Sequence, residues 1–359
     1  AFEHGAIRIL ADPTQIGELQ AYEGKRMASG MSYSAPSGCF VPGTLIHLSD
    51  GCVLPVDQVK YNDAVITHKG QVHKVTKIME RDYEGDVIVI KASGLPDQIV
   101  ATPEHPFWAR KRTVRHLQRR AIRRNFPSEW IPADSLTSGD WLAVPKRQGL
   151  PRADLTPDQL YAVGYWLAEG HIHYGWKKSP RGICFSTSEM KYLDRVGKTL
   201  MDWFPVDFVK RGNDKSIHEI EKSSAITIQE RKGQPGQTKP FYEMTFYSRP
   251  AAEFFVENFD QYAHSKALSP EFFNQSGLLP LVSGHLDGDG SQRKNQQMDV
   301  NVYTSSVTLA WQLRQIMIDN GIWCTLRRSS RTVGSVSGGK RTNYQAWIIN
   351  IKGSYLQLL

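Results

Sequence analysis

"AVGYWLAEG" (residues 162–170) and "VSGHLDGDG" (residues 282–290) are two copies of one pattern. Each is an apolar helical run with small residues four apart, Gly164 and Ala168 in the first, Gly284 and Gly288 in the second. Each ends on an acid and a glycine, Glu169–Gly170 and Asp289–Gly290. A spacing of four puts the small residues on one helix face, and two such faces let two backbones pack closely. The two acids then project together from the ends of adjacent helices. Paired carboxylates suit Mg²⁺, a hard cation that keeps several waters and also accepts phosphate oxygens as ligands. A single copy reads equally well as a glycine-containing helix end with a solvated acid. Two copies, each heading a similar run of elements, favour the paired site.

The surroundings of the two copies also repeat. The first copy sits in a helix over 156–170, followed by strand "GICFST", a helix over 189–204, strand "YEMTFYS" and a helix over 250–259. The second sits in a helix over 278–290, followed by strand "MDVNVYTS", a helix over 306–321, and strands "WCTLRRSS" and "YQAWIINI". This internal duplication makes residues 151–359 one domain, with repeat 1 at about 155–265 and repeat 2 at about 275–359.

Upstream the texture is different. Residues 39–150 carry short β-branched runs separated by Gly and Asp turns, which predicts an all-β module. It opens with "CFVPGTLI" at Cys39 and contains "ATPEHPFW", with Thr102 and His105 at TxxH spacing. A cysteine thiol can attack the carbonyl of the residue before it, provided the site protonates the departing nitrogen and holds the oxyanion. Thr102 and His105 are the residue types that step needs. Taken singly, Cys39 reads as a small buried hydrophobe and His105 as a strand-end histidine.

Within this module, residues 109–127 hold eight cations and no acid. They read either as a solvated cation-rich helix or disordered insert, or as a DNA-contacting insert with Arg115, Arg119, Arg120, Arg123 and Arg124 neutralising phosphates. Residues 1–38 form a slightly acidic leading segment, with a helix expected over "PTQIGELQAYEGKRMA".

At 359 residues, 40% hydrophobic and 22% charged, the chain is long enough for two globular domains. Its net charge of +8 favours a polyanionic partner. No apolar run is long enough to span a membrane, and no secretory signal opens the chain. Four cysteines without a CxxC suggest a reducing compartment, hence a cytoplasmic or DNA-associated and non-secreted protein.

The duplicated nonapeptide resembles the LAGLIDADG motif of homing endonucleases in their single-chain, two-motif form. "CFVPGTLI", "TPEH" and "WIPADSLTSGDWLAVP" are similar to the blocks of a Hint protein-splicing domain. Together they resemble an intein. The resemblance implies a multidomain fold: the N-terminal part of an all-β Hint-type domain, plus an α+β endonuclease of two pseudo-symmetric α-β-β-α-β-β-α halves, the second incomplete.

It implies autocatalytic splicing at Cys39 with Thr102 and His105, needing no cofactor. It also implies Mg²⁺-dependent double-strand DNA cleavage, with Glu169 and Asp289 as metal ligands and Lys266, in "KALSPEF", as a basic residue near the scissile phosphate. Double-stranded DNA and host-protein exteins would be the partners of a monomer, residues 1–38 being the N-extein. None of the 11 histidines precedes an asparagine, so the closing His-Asn of an intein is missing and a fragment, or half of a split intein, is expected. The rivals are a splicing element whose endonuclease has decayed to a DNA-binding or inert insert, and a LAGLIDADG DNA-binding regulator without splicing.

Overall fold

The computed structural model describes residues 6–11, 26–27, 30–31, 38–117, 120–175, 179–206, 225–231, 241–292, 299–337 and 340–358. The chain divides into two compact units, Ala1–Gly149 and Leu150–Leu359.

In the first unit, the described elements are short strands and two 3₁₀ turns, Val56–Gln58 and Ala133–Ser135. Ala6–Ala11 pairs with Lys77–Asp82, Leu45–His47 with Val53–Pro55, Ala64–Ile66 with Val72–Lys74, and Ile88–Ile90 with Ile99–Ala101, all antiparallel. Pro106–Arg110 lies between Glu129–Pro132 and Trp141–Leu142 in a three-stranded sheet. Leu48, Val59, Val65 and Val75 form a small core, joined by Ile46, Cys52, Leu54 and Ile78.

The basic segment is a hairpin of Arg112–Leu117 against Arg120–Asn125, so the helical and disordered readings of it are corrected. A helix would set Arg115 against Arg119, and Arg120 against Arg124, at the repulsive i,i+4 spacing. Thr113, Val114 and Ile122 favour the extended backbone instead. The side chains of Arg115, Arg119, Arg120, Arg123 and Arg124 lie outside the described residues, as does most of the helix expected over 13–28. Of that helix only Arg26–Met27 is described, as a strand paired with Gly30–Met31.

In the second unit, helix α1 (Pro157–Glu169) starts in a capping box. Gln159 N–H donates to Thr156 Oγ1 at 3.3 Å and Thr156 N–H to Gln159 Oε1 at 2.8 Å. Then come strands Gly170–Tyr174 and Pro180–Thr187, α2 (Met190–Trp203), strands Ile226–Arg231 and Phe241–Phe246, α3 (Arg249–Phe259) and α4 (Pro270–Phe273). Next are α5 (Leu279–Asp289), strands Gly290–Gln292 and Val300–Thr304, α6 (Val307–Asp319), strands Cys324–Ser337 and Lys340–Ile351, and a 3₁₀ turn at Gly353–Leu358. Each half holds a four-stranded antiparallel sheet in which the last strand in chain order lies between the second and the third. Buried Trp166, Phe185, Phe246 and Phe255 fill the first half.

The expected fold class is corrected. The chain is mixed α/β, with small antiparallel sheets and six described α-helices. Among the described residues of 39–150 there is no continuous Hint-type β domain. Their ladders are two or three strands wide, and strands begin or end at Pro55, Pro106 and Pro132. Proline has no N–H with which to continue a ladder. Among the described residues no helix is long and apolar enough to cross a membrane.

Candidate functional site

Helices α1 and α5 cross with their backbones in contact. A methyl group on Gly164 would collide with the Leu281 carbonyl, and one on Gly284 with the Tyr161 carbonyl. Further along, a methyl on Gly288 would meet Ala168 Cβ at 2.5 Å and Glu169 Cγ at 3.2 Å. The small-residue faces therefore close on each other and carry Glu169 and Asp289 into one neighbourhood, both partly buried. Burial pushes the Glu169 carboxyl up to about 7, with the Lys266 charge pulling it down. Burial and then the Glu169 charge push Asp289 up to about 7, again opposed by Lys266.

Lys266 is 3% exposed. Its Nζ donates to the Trp166 carbonyl at 2.6 Å and the Gly170 carbonyl at 2.8 Å, satisfying the end of α1. Burial lowers its pKa to about 8, while Asp289, Glu169 and Asp260 oppose the shift. The ammonium is thus an internal counter-charge to the two carboxylates. Sequence reasoning missed Asp287, the sixth residue of the second copy, which accepts a hydrogen bond from Tyr161 Oη at 2.8 Å. Its visible signal was an extra acid in a helix whose partner carries tyrosine.

The three residues singled out in the first unit also come together. Cys39 N–H donates to Thr102 Oγ1 at 3.0 Å, and Thr102 N–H returns a bond to the Cys39 carbonyl at 2.9 Å. Both residues are fully buried. The His105 ring lies 4.0 Å from that of Phe40, and its Nδ1 is buried without a hydrogen-bond partner. Burial drops His105 to about 4, a bond with the Gly38 backbone opposing. Gly38 sits so close that a methyl there would meet His105 Cα at 2.5 Å. Burial raises the Cys39 thiol, with Arg81 pulling it down. The cluster holds a neutral thiol beside a neutral imidazole. Among the described residues, no group of three His, Cys, Asp or Glu side chains is placed to hold a metal.

No protein-family model matches the chain. It is 26% identical over 304 residues to an iron-sulfur cluster assembly SufBD family protein of Mycobacterium tuberculosis, covering 80% of this chain and 33% of that protein. It is 26% identical to an uncharacterized protein of Methanocaldococcus jannaschii (87% of this chain, 41% of that one). It is also 26% identical to the ATP-dependent DNA helicase Hel308 of Thermococcus kodakarensis (91% and 31%). The chain thus spans about a third of the length of the curated relatives it matches. These relatives carry unrelated names, so the likeness concerns a shared segment and not their whole activities. A solved structure of the homing endonuclease I-WcaI bound to its DNA recognition sequence aligns at TM-score 0.34 and 14% identity, over 57% of this chain and 80% of that one.

These names correct the assignment made from the motifs. The relatives are named for iron-sulfur cluster assembly, for a helicase or for no activity, and none for a splicing element or a homing endonuclease. The identification as an intein is withdrawn, and with it splicing, DNA cleavage and the nuclease class. Double-stranded DNA and exteins as partners go with them. Physically, the nonapeptides specify a close helix crossing with two carboxylates at its end. That is a packing device and a charge arrangement, and neither names a substrate.

Proposed function

We propose that the second unit binds a hard divalent cation, Mg²⁺ by its oxygen donors, between Glu169 and Asp289. The observation that carries this is the contact of Gly288 with Ala168 and Glu169, which draws the two helix ends and their acids together. Two like charges held in a partly buried site repel, and a divalent ion relieves that repulsion. With two protein carboxylates, Mg²⁺ keeps waters that the phosphate oxygens of a ligand can replace. Titration calorimetry with Mg²⁺ alone should find one site in the wild type, lost in Asp289→Asn and weakened in Glu169→Gln. Undiminished binding in both variants would overturn the assignment.

In the first unit, Thr102 holds the Cys39 backbone N–H, and the His105 imidazole packs against Phe40 beside Gly38. None of the four cysteines is in a disulfide, which fits a cytoplasmic setting.

The names of the mycobacterial relatives favour a second reading, participation in iron-sulfur cluster assembly. Cys184 and Cys324 belong to separate sheets, and Cys39 and Cys52 lie in the other unit. Under this reading the chain contributes a surface for assembly partners and does not itself ligate the cluster. Anaerobic reconstitution with iron and sulfide checks that point: no visible-absorbing cluster should form on the isolated chain.

A further inference from the structure

The second half of the α/β unit buries a charge for which the described residues show no counter-charge. Arg314 on α6 is 2% exposed, and its Nε and Nη2 are buried without a hydrogen-bond partner. Those two nitrogens form one edge of the guanidinium, which meets the two oxygens of a carboxylate or phosphate side by side. Among its described residues the first half shows no such group. Aligning the Thr-Ser pairs that precede α2 and α6 (Thr187 and Thr304) places Arg314 at the position of Gly197. Gly197 packs on Ile226 and Met244 of its sheet. Cys324 is the register equivalent of Ile226, since each opens its strand opposite the last residue of the neighbouring one. An arginine thus occupies a helix–sheet seam that its counterpart closes with apolar side chains.

The neighbours of Arg314 leave its charge in place. Cys324 Sγ donates to the Arg314 carbonyl at 4.0 Å, and burial pushes that thiol up to about 12, with Arg314 opposing, so it stays neutral. Asp319 accepts from Gln315 Nε2 at 2.9 Å. The guanidinium lies 5.6 Å from the Trp311 ring and 5.9 Å from the Trp323 ring. Ring faces stabilise a cation but do not replace an oxygen acceptor. Trp323 is 37% exposed, so the site borders the surface. A buried guanidinium with two unmet donors is strongly unfavourable unless an anion completes it.

We propose that Arg314 is an oxyanion-binding residue, whose Nε/Nη2 edge receives a carboxylate or phosphate group of a ligand beside Trp323. This site is separate from the Glu169–Asp289 pair and does not depend on a cation there.

The test is thermal unfolding of the full chain at pH 7 and fixed ionic strength in chloride, acetate or phosphate, with tryptophan fluorescence followed in parallel. The wild-type midpoint should rise saturably with acetate or phosphate and stay flat with chloride substitution. A response to acetate alone identifies a carboxylate ligand, and one to phosphate alone a phosphate ligand; either supports the site. Arg314→Lys keeps the charge but loses the two-donor edge, and should weaken the apparent affinity at least tenfold. Arg314→Leu should abolish the saturable part, leaving only general salt effects. A wild type that responds alike to all three salts would overturn the proposal, as would a saturable oxyanion shift that survives in Arg314→Leu. If the Leu variant does not fold, the wild-type comparison and the Lys variant decide.

Discussion

Tyr161 on α1 donates its hydroxyl to Asp287 Oδ2 on α5 at 2.8 Å, tying the two halves of the α/β unit together beside the backbone crossing. The Arg195 guanidinium stacks 3.6 Å from the Tyr161 ring centroid and pairs with Asp158 at 2.9 Å. A hydrogen bond to a charged acceptor contributes about 1.5–3 kcal/mol. Tyr161→Phe should therefore lower unfolding stability by about that much in urea denaturation. An unchanged midpoint would mean the bond contributes nothing.

The two helical glycines Gly164 and Gly197 should respond differently to alanine. Gly164 faces the Leu281 backbone, which cannot yield, so Gly164→Ala should cost about 3 kcal/mol, the upper end of overpacking effects. Gly197 meets only the flexible ends of Ile226 and Met244, each at 3.1 Å. There the gain of about 1 kcal/mol in helix propensity should offset much of the strain. Chemical denaturation of both variants checks the order, and equal losses would refute the backbone-contact account.

The carboxylate pair should make the cation-free protein less stable as pH rises. Glu169 and Asp289 move from 4.5 and 3.8 up to about 7 in the fold. The folded state therefore binds more protons than the unfolded one between about 4 and 7, and stability falls through that window. Cation affinity should run the other way, rising as pH passes through about 7 and the carboxylates ionise. In Asp289→Asn the stability slope should flatten. Mg²⁺ titrations and melts from pH 5 to 8 test both directions.

The cysteines should alkylate in a fixed order. Cys39, Cys184 and Cys324 are buried, and burial raises all three thiols, Cys324 to about 12. Cys52 is only partly buried. Brief iodoacetamide treatment of the native protein at pH 7.5, read by peptide mass spectrometry, should modify Cys52 first. Early labelling of Cys39 would show that its cluster opens readily.

Local physics was legible in the sequence. The helices observed over 157–169 and 307–319 lie where the apolar helical runs over 156–170 and 306–321 predicted them, because such periodicity acts within a few residues. The small-residue spacing at Gly164 and Gly284 likewise announced a close crossing, and with it the meeting of Glu169 and Asp289. The hairpin of the basic segment is local as well: Thr113, Val114 and Ile122 favour extended backbone, and the i,i+4 arginine pairs disfavour a helix. What tertiary structure alone decided depends on distant neighbours. Lys266 is turned inward onto the carbonyls of Trp166 and Gly170, about a hundred residues away, a partner no local pattern names. Arg314 sits on an ordinary-looking helix, and only the sheet behind it makes its charge buried and incomplete. Activity lay beyond the motifs for a related reason. Small residues and acids at helix ends define how backbones approach and where charge collects, whereas a substrate is chosen by the groups assembled around that charge.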